Sequence, residues 1–187
     1  MVNKTADRLK ERKDKMIREA AIKDSARIAE IDVISSRYAY KGIVSDDCLY
    51  KDLSVENRIP VHQRWISEKR FGIYVYEDPD TGIIKGMMGI GMSEDDDKKG
   101  AFELHYIYVD PDYLRMGIGS EMLRFFEQKG KDKGCPEFVV WVLEENETGK
   151  NFYEKNSYHP DGKEKIFKRW NKREIRYVKS CEPVSNS

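Results

Sequence analysis

The first third of the chain has the hydrophobic spacing of helices. Apolar side chains recur every three or four residues after Asp24, which predicts that this residue caps an amphipathic helix. The buried face of that helix would consist of Ile28, Ile31, Ile34 and Tyr38. Ser54 is predicted to begin a second helix, and Pro60 should kink or divide it because the ring removes a backbone donor. Before both helices, residues 16–20 predict a short strand.

From Phe71 onward the pattern changes to that of strands. Two apolar segments joined by Asp-Pro-Asp-Thr-Gly predict a hairpin. The further predicted elements are a strand at 101–109, a helix containing Met122, Leu123, Phe125 and Phe126, a strand at 137–143, a helix near 148–157, and strands near 164–170 and 173–179. Together they predict one α/β domain over residues 15–180, with a polar extension at 1–14 and a loose tail at 181–187.

Composition narrows the class of protein. The 34 basic and 34 acidic residues cancel, so no overall field attracts nucleic acid or an anionic membrane. Cys48, Cys135 and Cys181 form no CxxC pair, which indicates neither a disulfide framework nor a zinc site. With no apolar leader and no run long enough to span a bilayer, we expect a cytoplasmic protein without a metal and without a membrane or nucleic-acid partner.

Two charged segments have simple interpretations. The basic segment 163–179 contains interleaved aromatic residues that are compatible with nucleic-acid binding, but a charged outer face on two terminal strands is favoured. The acidic run at 94–97 lacks the spacing of an EF-hand loop and is interpreted as a solvated loop.

The most specific signal is a glycine-bearing loop between a strand and a helix. Gly117 and Gly119 allow the backbone to turn tightly and to approach a ligand, and the helix that follows directs free N–H groups outward. This combination favours an anion, most commonly a phosphate. A Walker loop is absent, and Met122 stands where a Rossmann fingerprint needs its third glycine. The glycine string at 86–91 lies within a strand and indicates bulges or close packing instead.

The segment ELHYIYVDPDYLRMGIGSEML resembles the central acetyl-CoA-binding motif of the GNAT superfamily of N-acetyltransferases. The family signature [Q/R]xxGx[G/A] falls on 114–119, with Leu114 in place of the usual Gln or Arg. The segment VLEENETGKNFYEKNSYHP resembles the later motif of the family, with Ser157 in place of the customary glycine and Tyr158 in place of phenylalanine. The resemblance covers roughly residues 16–180 and implies a GNAT fold, in which a mixed, mostly antiparallel sheet of six to seven strands is flanked by about four helices.

The resemblance also implies an activity and a site. It implies transfer of acetyl from acetyl-CoA, as co-substrate, to a primary amine in a ternary complex. The residues that it assigns to the coenzyme are Ile107, Tyr108, Val109, Leu114, Arg115, Met116, Gly117, Ile118, Gly119, Ser120, Asn146, Gly149 and Phe152. Asn146 could instead be a plain helix cap. A non-catalytic acyl-CoA-binding sensor or interaction module is the alternative to an enzyme.

Two residues are candidates for the chemistry of acetyl transfer. Glu103 matches the position of the family's general base. It could accept a proton because its pKa is raised, or through a chain of water molecules. Alternatively, it is a solvated or ion-paired strand residue. His105 is the rival base, while His62 and His159 are interpreted as incidental. Tyr153 matches the tyrosine placed near the coenzyme sulfur, where a phenol can protonate the thiolate, although a core aromatic is the alternative.

The acceptor amine is not specified by the sequence. Tyr38, Tyr40, His62 and Trp65 are equally consistent with an acceptor groove and with packing. Self-association is common in the family, so a homodimer is left open.

Overall fold

The computed structural model describes residues 16–181. Its strands are β1 (Ile17–Glu19), β2 (Gly72–Glu77), β3 (Ile84–Met92), β4 (Phe102–Val109), β5 (Glu137–Leu143), β6 (His159–Phe167) and β7 (Lys172–Ser180). Its longer helices are α1 (Ser25–Tyr40), α2 (Val55–Glu68), α3 (Ile118–Asp132) and α4 (Glu147–Lys155). The predicted extension at 1–14 lies outside the described residues, as does all of the predicted tail except Cys181.

All seven strands form one sheet in the order β1-β2-β3-β4-β5-β7-β6. Neighbouring strands are antiparallel except β4 and β5, which pair in parallel and are connected through α3. The expected α/β class and the mixed, mostly antiparallel sheet are therefore confirmed. None of the helices in residues 16–181 is long and apolar enough to cross a membrane.

Helices cover both faces of the sheet. On one face, α3 contributes Met122 and Phe126 to a core that also contains Phe102 and Phe138 from the strands. Tyr153 of α4 belongs to the same core. On the other face, Ile28 and Ile31 of α1 pack with Ile73, Val75 and Met87 of the sheet. This second face, between the sheet and the first two helices, contains the residues for which an acceptor groove and packing were equally consistent.

The predicted helix starts are half correct. The Ser54 hydroxyl accepts from the Asn57 amide at 3.2 Å and caps α2 as predicted. Asp24 precedes α1 but makes no side-chain cap; its carboxylate instead accepts from Arg18 and from the amide of Ala21. The second helix also continues through Pro60 rather than dividing there.

Tyr38 was wrongly placed on the buried face of α1. Its side chain is 65% exposed, whereas Ile28 and Ile31 are fully buried. The helix instead buries Asp32 and Ser35, so its inner face is partly polar. Asp32 is paired there with Arg58 and His62 of α2.

A bulge in β4 changes which side chains reach each face. Gly89 pairs with Tyr106 and Ile90 pairs with Leu104, so His105 is an additional residue on β4. After the bulge, Tyr106 packs toward α1 and α2, whereas Ile107 packs on the α3 side. A Cβ at Gly89 would lie 2.6 Å from the Tyr106 ring, which confirms the expectation that glycines in this strand mark bulges and close packing.

The acidic segment is not merely solvated, as the sequence analysis had it. The buried Arg176 guanidinium donates to Asp95 at 3.0 Å, to Asp97 at 2.7 Å and to Asp161 at 2.9 Å. These ion pairs tie the 93–98 loop to β7. Asp161 is available because β6 begins at His159 instead of near 164, with an irregular register between Pro160 and Glu164.

Candidate active site

A cleft opens where β4 and β5 separate. The two strands pair only from Phe102 to Leu104 and from Phe138 to Val140, after which the register pairs β4 with β3 alone among the described residues. The cleft has a volume of about 1030 Å³ and is lined from α1, α2, β4, β5, α3 and α4. Backbone groups of β4 beyond Leu104 therefore border the cleft on the side that faces β5.

The start of α3 forms one end of this cleft. Gly117 has φ 83°, in the left-handed region that favours glycine, and α3 begins at the next residue. Within the described chain, no side chain caps the first turn, and the first backbone bond of the helix runs from the Glu121 amide to Gly117. The amides of Ile118, Gly119 and Ser120, all of which line the cleft, are thus the unpaired donors expected at a helix N-terminus. This is the geometry of an anion site.

The structure gathers most of the predicted site residues into this one cleft. Its lining includes Tyr153, Ile107, Tyr108, Val109, Leu114, Arg115, Gly117, Ile118, Gly119, Ser120, Asn146, Gly149 and Phe152. Met116 does not line the cleft and projects outward with 64% of its side chain exposed. Glu103 also lies outside the lining, beside His105, which is part of it.

Asn146 caps α4. Its Oδ1 accepts from the Gly149 amide at 3.0 Å. A Cβ at Gly149 would lie 2.6 Å from Asn146 Nδ2 and 3.2 Å from the Val142 side chain, so the glycine makes room for the cap. The cap interpretation is therefore confirmed, and a coenzyme contact of the amide nitrogen stays a prediction.

Tyr153 lies between the core and the cleft. Its ring is buried and contacts the rings of Phe152 and Tyr158 at centroid distances of 5.2 and 5.8 Å. Burial raises the pKa of the Tyr153 phenol well above its ordinary value. The phenol is consequently protonated throughout the neutral range and can act as a donor.

Glu103 is held by two neighbours. Its carboxylate accepts from the Ser93 hydroxyl at 2.9 Å and lies 3.1 Å from His105 Nδ1. Burial by itself raises the pKa of Glu103, but the hydrogen bond and charge of His105, together with Ser93, outweigh it and lower the pKa. The raised pKa considered from the sequence is therefore wrong. The carboxylate reaches the cleft through His105.

The part of the cleft between the sheet and helices α1 and α2, called the acceptor half, is lined by aromatic side chains. The four residues for which groove and packing were both considered, Tyr38, Tyr40, His62 and Trp65, all line it. Further aromatic lining comes from Tyr106, Tyr108, Trp141, Phe167 and Trp170. The Tyr40 and Tyr108 hydroxyl oxygens lie 3.5 Å apart, which brings the end of α1 against β4.

A buried charged group lies at the base of this half. Asp32 Oδ2 accepts from Arg58 Nε at 2.5 Å and lies 2.9 Å from His62 Nε2. Burial alone raises the pKa of Asp32, but the hydrogen bond with His62 and the charge of Arg58 prevail and lower it. His62 is fully buried in this group, so it is a structural member of the cleft and not incidental.

Several charged cleft residues were missed by the sequence analysis, among them Asp32, Arg58, Arg169 and Glu174. Glu174 of β7 lines the acceptor half, across the β5–β7 ladder from Leu143. It lies in the charged segment that was interpreted as an outer face. Strand alternation could have placed it on the same side as Arg176, but nothing in the sequence indicates that this side borders a cleft.

The match to a known family agrees with this architecture. A model of the acetyltransferase (GNAT) family matches residues 40–158, which is more than half of the chain. The protein belongs to this family of acetyltransferases. The matched region extends from the end of α1 to the residue before β6, and so includes the separated strands β4 and β5, the start of α3 and all of α4.

Individual relatives are more distant. An uncharacterised N-acetyltransferase of Bacillus subtilis, YuaI, is 28% identical over 134 residues, which cover 70% of this chain and 72% of that protein. A spermidine N(1)-acetyltransferase of Thermoplasma acidophilum is 26% identical over 156 residues, which cover 76% of this chain and 86% of that protein. Neither identity is high enough to carry an acceptor across directly.

Solved structures share the fold. The PaiA N-acetyltransferase of Thermoplasma acidophilum in complex with coenzyme A has a TM-score of 0.66 at 21% identity, covering 86% of this chain and 96% of that one. The putative acetyltransferase yncA of Salmonella typhimurium with acetyl-CoA has a TM-score of 0.63 at 17% identity, covering 91% and 96%.

Proposed function

We propose that the protein transfers an acetyl group from acetyl-CoA to a primary amine by direct attack within a ternary complex. The observation that carries this proposal is the single cleft that joins the uncapped start of α3, the parting of β4 from β5, and the Tyr153 phenol. The anion site suits the phosphates of this coenzyme, the edge of backbone groups suits its pantetheine arm, and the proton donor suits its thioester.

Coenzyme binding would be divided between the two sides of the cleft. The pyrophosphate would be bound by backbone amides of 115–120. Leu114 was expected to contribute its amide as well, but that amide donates to the Pro111 carbonyl at 3.3 Å. The pantetheine arm would pair with the backbone of Ile107, Tyr108 and Val109, all of which line the cleft. Relatives of the same fold that contain coenzyme A or acetyl-CoA support this assignment.

Proton removal is assigned to Glu103 acting through His105 or a water. The attacking nitrogen must lose its proton to carry a lone pair, and His105 lies between Glu103 and the cleft at 3.1 Å from the carboxylate. The nitrogen then forms the new bond to the acetyl carbon, and the C–S bond breaks. Tyr153 would donate its proton to the departing thiolate and regain one as the nitrogen, now bonded to the acetyl carbon, releases its second proton. The three free cysteines agree with a cytoplasmic location for this activity.

The first experiment combines calorimetric titration and turnover on the full chain. Acetyl-CoA should bind one-to-one, with NAD as the control ligand. CoA release is then followed over a panel of primary amines that includes spermidine, the substrate named for one relative. Binding without release for any amine would favour the acyl-CoA-binding module, and absence of binding by folded protein would contradict both.

The role of Glu103 has its own test. Glu103→Gln should lower kcat by roughly 10²–10⁴-fold near neutral pH while leaving acetyl-CoA affinity unchanged. The matched control is Glu164→Gln, which removes the same charge from an exposed position paired with Arg173 on β6 and β7. An unchanged kcat in Glu103→Gln would remove this residue from the base role.

A further inference from the structure

Glu174 is the third residue of β7 and lies on the acceptor side of the sheet. The register pairs it with Leu143 of β5 and with Lys165 of β6. Its neighbour Ile175 packs into the core on the α3 side, so by strand alternation Glu174 is directed to the opposite face. There it lines the cleft together with Tyr40 and other aromatic residues.

The Glu174 carboxylate has no ion pair. Across residues 16–181, no hydrogen bond or salt bridge reaches it, although basic residues flank it on the same strand. Lys172 pairs with Glu145, and Arg173 pairs with Glu144 and Glu164. The cross-strand neighbour Lys165 places its Nζ over the Trp141 ring, 3.9 Å from the centroid.

This carboxylate is also poorly solvated. Burial raises the pKa of Glu174 from its ordinary value, and the negative charge of Glu103 adds to the rise, although Lys165 opposes it. A half-buried carboxylate that accepts no hydrogen bond is costly to the folded protein. Such groups in a cleft are candidates for a functional role, because a bound cation would compensate the charge.

The walls near Glu174 suit a cation. Tyr40, Trp141 and Trp170 line the cleft with it, and the Tyr40 and Trp170 rings lie 4.8 Å apart. Cations already lie over two of these rings: Lys165 over Trp141, and Arg169 over Trp170 at 5.8 Å from the centroid. Aromatic faces attract ammonium groups, and the attraction increases when water is excluded. A carboxylate among aromatic rings therefore has the chemistry of a binding site for an ammonium group.

The position of Glu174 separates it from the proposed base. Glu103 pairs with Val139 and Glu174 pairs with Leu143, four residues farther along β5. At about 3.3 Å per residue, this offset is roughly 13 Å along the strand. The two backbones also lie on opposite sides of β5. The two backbones are therefore well separated, while the carboxylates remain close enough for their charges to interact, and Lys165 interacts with both.

We propose that Glu174 binds a second ammonium group of the acceptor, remote from the nitrogen that is acetylated, and so selects α,ω-diamines and longer polyamines over monoamines. This inference rests on the proposed function, because it assumes that the cleft receives an amine. Glu174 would contact the substrate without exchanging a proton with it. Tyr40 and Trp170 would flank the bound ammonium.

The test measures equilibrium binding to the full chain saturated with coenzyme A. The probes are α,ω-diamines of four to eight carbons and the matching primary monoamines, titrated by calorimetry. The wild-type protein should bind its best diamine roughly tenfold or more tightly than the matching monoamine. Glu174→Gln should reduce this ratio to about one by weakening the diamine alone, whereas Glu164→Gln should leave the ratio unchanged.

Three outcomes would overturn the inference. They are a wild-type protein without diamine preference, a Glu174→Gln variant that retains the preference, and a variant in which diamine and monoamine weaken equally. The last outcome would assign Glu174 to the reacting nitrogen. Acetyl-CoA affinity and the melting temperature of each variant report whether the fold is intact. Because no turnover is needed, an absence of acetylation would refute the proposed function and still leave this ratio to decide the inference.

Discussion

Replacing Asn146 separates two roles that this side chain can have at the start of α4. Its Oδ1 caps the helix through the Gly149 amide at 3.0 Å, and its amide lines the cleft. Asn146→Ala removes both functions. Loss of an N-cap typically costs about 1 kcal/mol, which corresponds to a melting temperature lowered by roughly 2–4 °C in a domain of this size.

Asn146→Ser is the matched variant, because serine caps helices about as well as asparagine but lacks the amide donor. We expect it to melt close to the wild-type temperature in differential scanning calorimetry. If the Asn146 amide also contacts the coenzyme, acetyl-CoA should bind roughly fivefold more weakly to both variants, since one hydrogen bond contributes about 1 kcal/mol.

The two readouts can fail independently. A wild-type melting temperature in Asn146→Ala would refute the capping argument. Wild-type acetyl-CoA affinity in Asn146→Ser would limit this residue to the cap and remove it from the coenzyme site.

Three further predictions concern coenzyme binding, backbone strain and acid stability. Gly119→Glu should abolish acetyl-CoA binding in calorimetry by placing bulk and negative charge at the anion site, while Gly119→Ala should fold normally because its Cβ would make ordinary contacts 3.7 Å from Phe152. Ser157 has φ 67°, so Ser157→Gly should relieve strain and increase the free energy of unfolding by about 1 kcal/mol, and an unchanged urea midpoint would contradict this. The lowered pKa of Asp32 contributes stability above the unfolded value of about 3.9 that is lost as pH falls through the folded pKa. Asp32→Asn should therefore unfold more readily at pH 7 and lose less stability between pH 5 and 2; equal slopes in both proteins would refute the linkage.

Local rules in the sequence predicted most of the helices and strands, and most of the residues that meet in the cleft at the start of α3 and along β4. The Ser54 cap and the glycine loop at 117–119 depend on residue types that act within one turn or one helix start, so single-sequence reasoning can find them. Ser157 illustrates the same point, because the family's glycine position coincides with a left-handed backbone.

The acceptor half depended on tertiary structure that no local pattern contains. The bulge at His105 reverses the alternation of β4, so Tyr106 and Tyr108 reach a face that strict alternation would deny them. The sequence neighbours of Glu174, Arg173 and Ile175, are also typical of a strand with one solvent-exposed face. Its importance comes from β5 parting from β4, two strands away in the sheet order.

The separation of β4 from β5 would also make the stability of the protein depend on the concentration of its coenzyme. A sheet with two parallel strands that separate after three residue pairs leaves backbone groups to be matched by something other than the chain itself. A coenzyme arm that pairs along β4 would act as a partial eighth strand, and its binding energy would add to the folding energy. At a concentration one hundred times its dissociation constant, such a ligand stabilises the native state by about 2.7 kcal/mol. The supply of acetyl-CoA would thus affect the stability of the enzyme against unfolding as well as its reaction rate.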